Sequence, residues 1–82
     1  GRKPVLEGSD RKRKLTFKEK QEYEALGRDI EALEAEKAQL HEALASGQLS
    51  VEEITAHSKR LPLLDEELDE KSMRWLELSE WA

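Results

Sequence analysis

The chain has 82 residues, of which 40% are charged, 37% hydrophobic and 5% aromatic; its formal net charge is −5 and it has no cysteine. That length gives one small domain, and few bulky apolar residues among many Glu, Lys, Ala and Leu fit a coiled coil better than a packed sandwich or barrel. Disulfide frameworks and thiolate metal sites are excluded, and no apolar run approaches the roughly 18 residues a membrane span needs.

Gly1 to Lys14, GRKPVLEGSDRKRK, carries Pro4, Gly8, Ser9 and Asp10 without helical periodicity. Residues 1–15 are therefore expected to form a flexible, disordered basic linker. The first residue is Gly1 and the only methionine is Met73, so a piece cut from a longer protein is expected. No signal-peptide pattern is present, and a cytoplasmic location is expected. Charge is divided unevenly. Residues 1–20 hold eight Lys/Arg against Glu7, Asp10 and Glu19, a net of +5; residues 21–82 hold six basic against sixteen acidic residues, a net of −10. A basic arm precedes an acidic rod.

Thr16 to Glu19, TFKE, has the spacing of a capping box and starts a helix at Phe17. Within it, Tyr23, Leu26, Ile30, Leu33, Leu40 and Leu44 alternate at steps of three and four once Lys37 is counted into the series. This is a heptad pattern with Tyr23, Ile30, Lys37 and Leu44 at a, and Leu26, Leu33 and Leu40 at d. So narrow a seam suits one partner helix. Gly27 costs about 1 kcal/mol relative to Ala and marks a close approach or a slight bend. The helix is predicted over 17–45, with Ser46-Gly47 as a left-handed cap and a turn over 46–50.

Ser50 to Glu53 is a second capping box, with Leu49 placed to staple onto Ile54. The second helix is predicted over 51–80, with a ladder of Ile54, Leu61, Leu68 and Trp75, and with Leu64 and Leu78 at intervening positions beside His57 and Lys71. Pro62 removes one backbone bond and clashes with the carbonyl of Ser58. Leu61 and Leu64 keep phase with both flanks, which favours a kink or local tightening near 62 over a break. The fold class is all-α, a two-helix antiparallel coiled-coil hairpin. Partner residues in an antiparallel seam sum to a constant. A sum of 101 sets Leu40 by Leu61, Leu33 by Leu68, Leu26 by Trp75 and Tyr23 by Leu78, with Lys37 by Leu64 and Lys71 by Ile30; a register shifted by seven is the alternative. The stems of Lys37 and Lys71 would lie on the seam with their charged ends in water.

Two helices enclose no cavity that could drive carboxylate pKa values apart, so no catalytic residues are assigned. Helix-face ion pairs such as Glu67–Lys71 are the expected use of the acidic clusters. His41 and His57 lie in different helices without a third ligand, and no metal site is assigned. The polar faces are acidic, which disfavours membrane binding. The one strong functional signal is basic: Arg11, Lys12, Arg13 and Lys14, continued by Lys18 and Lys20. Such a cluster attracts nucleic-acid phosphates through counterion release; its bland reading is a solvated spacer.

At KLTFKEKQEYEAL (14–26), IEALEAEKAQL (30–40) and MRWLELSE (73–80), joined by a short turn and preceded by the basic linker, the chain resembles the C-terminal coiled-coil domain of Uup-type ABC-F ATPases. The resemblance covers roughly residues 11–81. It implies a non-catalytic module following two ATPase domains that bind ATP and Mg, with DNA or ribosomal or transfer RNA as partner. Carried over by position, Lys14, Lys18 and Lys20 match the family's basic start, and Trp75 its hairpin-base aromatic. The acidic second helix, with only Lys59, Arg60, Lys71 and Arg74, departs from the pattern. The alternative is a structural coiled coil docking its acidic face or Trp81 on a partner or on the parent ATPase domains. A hairpin, rather than an intermolecular coil, is expected to be monomeric.

Overall fold

The structure, a computed structural model, describes residues 14–82; the predicted linker up to Arg13 lies outside the described residues. Two helices make up the described fold, α1 (Phe17–Ser46) and α2 (Val51–Ser79), and no strand occurs among the described residues.

Both helices begin as their sequences dictate. Glu19 N–H donates to Thr16 Oγ1 at 3.1 Å, and Thr16 N–H donates to Glu19 Oε1 at 3.0 Å. Ser50 and Glu53 repeat the arrangement at 3.1 and 2.9 Å. Each box satisfies two backbone donors that the first turn leaves without a partner. The Ser50 backbone N–H bound to the Glu53 carboxylate holds that carboxyl below its usual pKa.

The helix ends differ from expectation by one residue each. α1 continues through Ser46, whose hydroxyl donates to Ala43 O at 2.6 Å and accepts from Gln48 N–H at 3.2 Å. Gly47 then turns the chain with φ 72°, a left-handed value that glycine adopts without Cβ strain. α2 closes at Ser79 rather than Glu80, because Trp81 N–H reaches back to Leu78 O and Ala82 N–H to Ser79 O. These tighter i→i−3 bonds replace the last α-helical turn. α2 is helical straight through Pro62, so the chain does not divide there into two helices.

The core is a single row of leucines. Leu26, Leu33, Leu64 and Leu78 are buried, Leu64 completely, whereas Leu40, Leu61 and Leu68 are half-buried. Ile54, predicted on the ladder, is instead 44% exposed. Its register partner would be Gly47, which lies beyond the end of α1 and has no side chain to cover it.

Register follows from two Arg–Glu pairs. Arg74 binds Glu22 and Arg60 binds Glu36, and the residue numbers of both pairs sum to 96. When a and d partners sum to 101, the residues just before each a position line one edge of the seam, and their partners sum to 96. A shift by seven would part each pair by about 10 Å of helix. Lys37 and Lys71 depart from expectation in one respect: their ammonium groups are not left to water. Lys37 Nζ meets Asp65 Oδ1 at 2.6 Å, and Lys71 Nζ meets Asp29 Oδ2 at 3.0 Å across the seam. Each lysine's pKa is raised, first by the hydrogen bond to its carboxylate.

Candidate functional site

The open end of the hairpin, where α1 begins and α2 finishes, collects the aromatic residues. The rings of Tyr23 and Trp75 stack with centroids 5.3 Å apart and planes 15° from parallel. Sequence spacing sets both at a positions, in neighbouring layers of the antiparallel seam. Such a pair adds about 0.5–1.5 kcal/mol beyond its buried area. Beside Tyr23 lies a cleft of about 670 Å³ lined by Lys14, Leu15, Lys20, Glu24 and Trp81.

Of the six basic residues singled out from the sequence, Lys14 and Lys20 line this one cleft. Lys18 is exposed on α1 but does not line it. Two residues turn an α-helix by about 200°, so Lys18 and Lys20 face different ways. Arg11, Lys12 and Arg13 lie outside the described residues.

The basic residues Arg60 and Arg74 of the second helix, to which sequence reading gave no partners, are held across the seam. Arg74 donates from Nε and Nη2 to the two carboxylate oxygens of Glu22 at 2.8 and 3.0 Å, and from Nη1 to Glu77 at 3.0 Å. Arg60 grips Glu36 in the same two-pronged way at 2.8 and 3.1 Å. Paired forks of this kind fix geometry as well as charge. The Glu22 and Glu36 carboxyls are held below the usual range by the hydrogen bonds from Arg74 and Arg60, and both guanidiniums are pushed further up in turn. Glu22, Asp29 and Glu36 are seven residues apart and therefore form one latched edge. A pairing sum of 101 puts Glu22 with Arg74 and Glu36 with Arg60 on one edge, whereas Asp29 takes Lys71 from the seam itself.

The opposite edge is bridged by Lys37–Asp65 toward the turn and is open nearer the helix termini. There Gly27, Ile30, Trp75 and Leu76 surround a groove of about 370 Å³, with Glu31 and Glu34 on its rim. A Cβ on Gly27 would sit 3.8 Å from the Trp75 indole nitrogen, so the glycine leaves the ring uncovered without being sterically required.

Electrostatically, the latch removes α2 as a source of free positive charge. Of its four basic residues, Arg60, Lys71 and Arg74 are each paired with an α1 carboxylate, leaving Lys59. None of Lys14, Lys18 and Lys20 forms a salt bridge with a described residue. Among the described basic residues without a salt bridge, Lys14, Lys18 and Lys20 lie where the hairpin opens, and Arg28 and Lys59 lie farther along the rod. Among the described residues there is no group of three His, Asp or Glu that could hold a metal ion. No described helix is long and apolar enough to cross a membrane.

The sequence profile of the ABC transporter C-terminal domain matches residues 14–80. The chain belongs to that family. No curated protein and no solved structure matches it. The matched span of this ABC transporter C-terminal domain begins at Lys14 and takes in Lys18, Lys20, the Tyr23–Trp75 stack and the Arg74 latch. Arg11, Lys12 and Arg13 precede it. Over the described residues this ABC transporter C-terminal domain is built of two helices.

Proposed function

We propose that this ABC transporter C-terminal domain is the nucleic-acid-binding module of a Uup-type ABC-F protein, joined to ATPase domains that carry the ATP and Mg chemistry in the cytoplasm. Its ligand is DNA, or ribosomal or transfer RNA, held through phosphates without base readout. The observation that supports this most is the convergence of Lys14 and Lys20 on one cleft beside the aromatic stack, directly following Arg11, Lys12 and Arg13 in the chain. Lys18 adds positive charge on another face of the same helix start. The rod supplies reach, since thirty residues of α1 extend about 45 Å, while its acidic faces repel phosphate and confine contact to the open end.

A second reading, docking on the parent ATPase domains or another protein, is favoured by one observation. Met73 and Leu76 are 67% and 59% exposed and share a surface depression with Trp81. The two readings separate in fluorescence-anisotropy titrations of DNA and RNA duplexes at several salt concentrations. With about four phosphate contacts, log affinity falls with log salt at a slope near −3.6. Neutralising Arg11 to Lys14 with glutamine flattens that slope. Affinity indifferent to both salt and neutralisation overturns the nucleic-acid reading and leaves docking.

A further inference from the structure

We propose that two copies of this domain pair through one outer face of α1, with Phe17 of each copy entering the groove beside Gly27 of the other. Phe17, Lys20, Glu24, Gly27 and Glu31 follow one another at steps of three and four, so they share one face of α1 outside the leucine seam. Phe17 is 77% exposed there, uncovered by the hairpin's own packing. Ten residues on, Gly27 contributes no side chain, and the groove behind it reaches Ile30, Trp75 and Leu76. One half of the face thus carries an apolar knob and the other half an apolar recess. On the other edge of the seam, cross-helix ion pairs occupy the equivalent space.

A second copy is the occupant that matches both halves at once. In an antiparallel pair of α1 helices, facing residues sum to a constant. Setting Phe17 over Gly27 gives a sum of 44, and the same sum sets Lys20 opposite Glu24. A two-fold axis makes each of these contacts twice. Neither Lys20 nor Glu24 forms a salt bridge with a described residue, so opposite charges meet without breaking an existing pair. A register shifted by seven sets Phe17 opposite Glu34 in place of the glycine. Contact over residues 17–31 is about four helical turns, short of a standard interface. The dimer is therefore weak and concentration-dependent, and it departs from the monomer expected of a lone hairpin. Lys20 and Glu24 also line the cleft beside Tyr23, but pairing of copies needs no nucleic acid and does not rest on that reading.

Sedimentation equilibrium of the full 82-residue chain, without nucleic acid, is expected to show an average mass that rises toward twice the monomer's with concentration. Phe17→Ala removes both rings and weakens association by about a hundredfold, at least tenfold for each buried ring. Gly27→Leu fills the recess from within and does the same. Lys20→Glu weakens the dimer by facing Glu24 with a like charge; adding Glu24→Lys to the same chain restores it, because opposite charges again meet across the axis. Circular dichroism at low concentration checks that each variant keeps its helices. In a mixture of isotope-labelled and unlabelled chains, intermolecular Overhauser contacts should join the Phe17 ring to Gly27 and the Trp75 indole. A chain that stays monomeric at the concentration of that sample overturns the proposal. So does a dimer indifferent to Phe17→Ala and Gly27→Leu, or a Lys20→Glu loss that Glu24→Lys does not rescue. Intermolecular contacts centred on Met73 instead of Gly27 would also overturn it, placing the outer face of α2 in the interface.

Discussion

At the open end of the hairpin, Tyr23 stacks on Trp75, Leu78 is 2% exposed and Arg74 holds two carboxylates at once. At the turn, Ile54 is 44% exposed, Val51 is more so, and the chain is shaped by hydrogen bonds within a few residues of one another. The first end is held by contacts between helices, the second by local geometry that each helix would adopt alone. The buried leucines and cross-helix ion pairs run from the open end to the middle of the rod, as far as Leu64 and the Arg60–Glu36 pair.

The sharpest way to break this contrast is to truncate one apolar residue at each end. Leu78→Ala should cost about 2–5 kcal/mol, most or all of the roughly 3–5 kcal/mol that so small a core provides. Ile54→Ala should cost only about 0.5 kcal/mol. Urea melts of the two variants read the difference, and equal losses would mean the turn end is packed after all.

Local geometry at the turn is tested next. Gly47→Ala forces a Cβ into a left-handed conformation, at about 1–2 kcal/mol. Ser50→Ala removes one capping bond, at about 1 kcal/mol. Both should lower the melting temperature, in that order. The effect is opposite in sign at Gly27, where φ is ordinary and a Cβ makes normal contact with Trp75. Gly27→Ala should stabilise the hairpin by up to about 1 kcal/mol through helix propensity.

The smallest effect comes from pH. Hydrogen bonds from Arg74 and Arg60 lower the Glu22 and Glu36 carboxyl pKa values, and the Ser50 backbone N–H does the same for Glu53. A pKa lower in the folded state gives stability that is complete above the unfolded value of about 4.3 and is lost as pH falls through the folded value. The melting temperature should therefore stay level down to about pH 5 and decline below it, more steeply in the natural chain than in a Glu22→Gln, Glu36→Gln variant. Matching declines would show that these latches contribute nothing across the seam.

The parts of this architecture that were legible in the sequence are those with a local or strictly periodic cause. Thr16/Glu19 and Ser50/Glu53 announce helix starts because capping is decided within four residues. Tyr23 to Leu44 announces the seam because the heptad repeats without long-range information. Ile54 misled because a ladder in one helix does not disclose where its partner ends. The expectation that Lys37 and Lys71 reach water fails because their acceptors, Asp65 and Asp29, lie on the other helix of the hairpin. The Arg74–Glu22 and Arg60–Glu36 forks were implicit in the pairing sum, but they become visible only when register is carried from the seam to its edges. At the site, charge alone grouped Lys14, Lys18 and Lys20; helix phase separates Lys18 from the other two.

The claim that the open end is the working end is tested most directly by mapping amide and indole chemical shifts while a short DNA or RNA duplex is added to the full chain. Lys14, Lys18, Lys20, Tyr23 and the Trp75 indole should move together and saturate together, with residues 44–57 unmoved. Shifts centred on the turn, or spread along the acidic faces with the Trp75 indole unchanged, would contradict it.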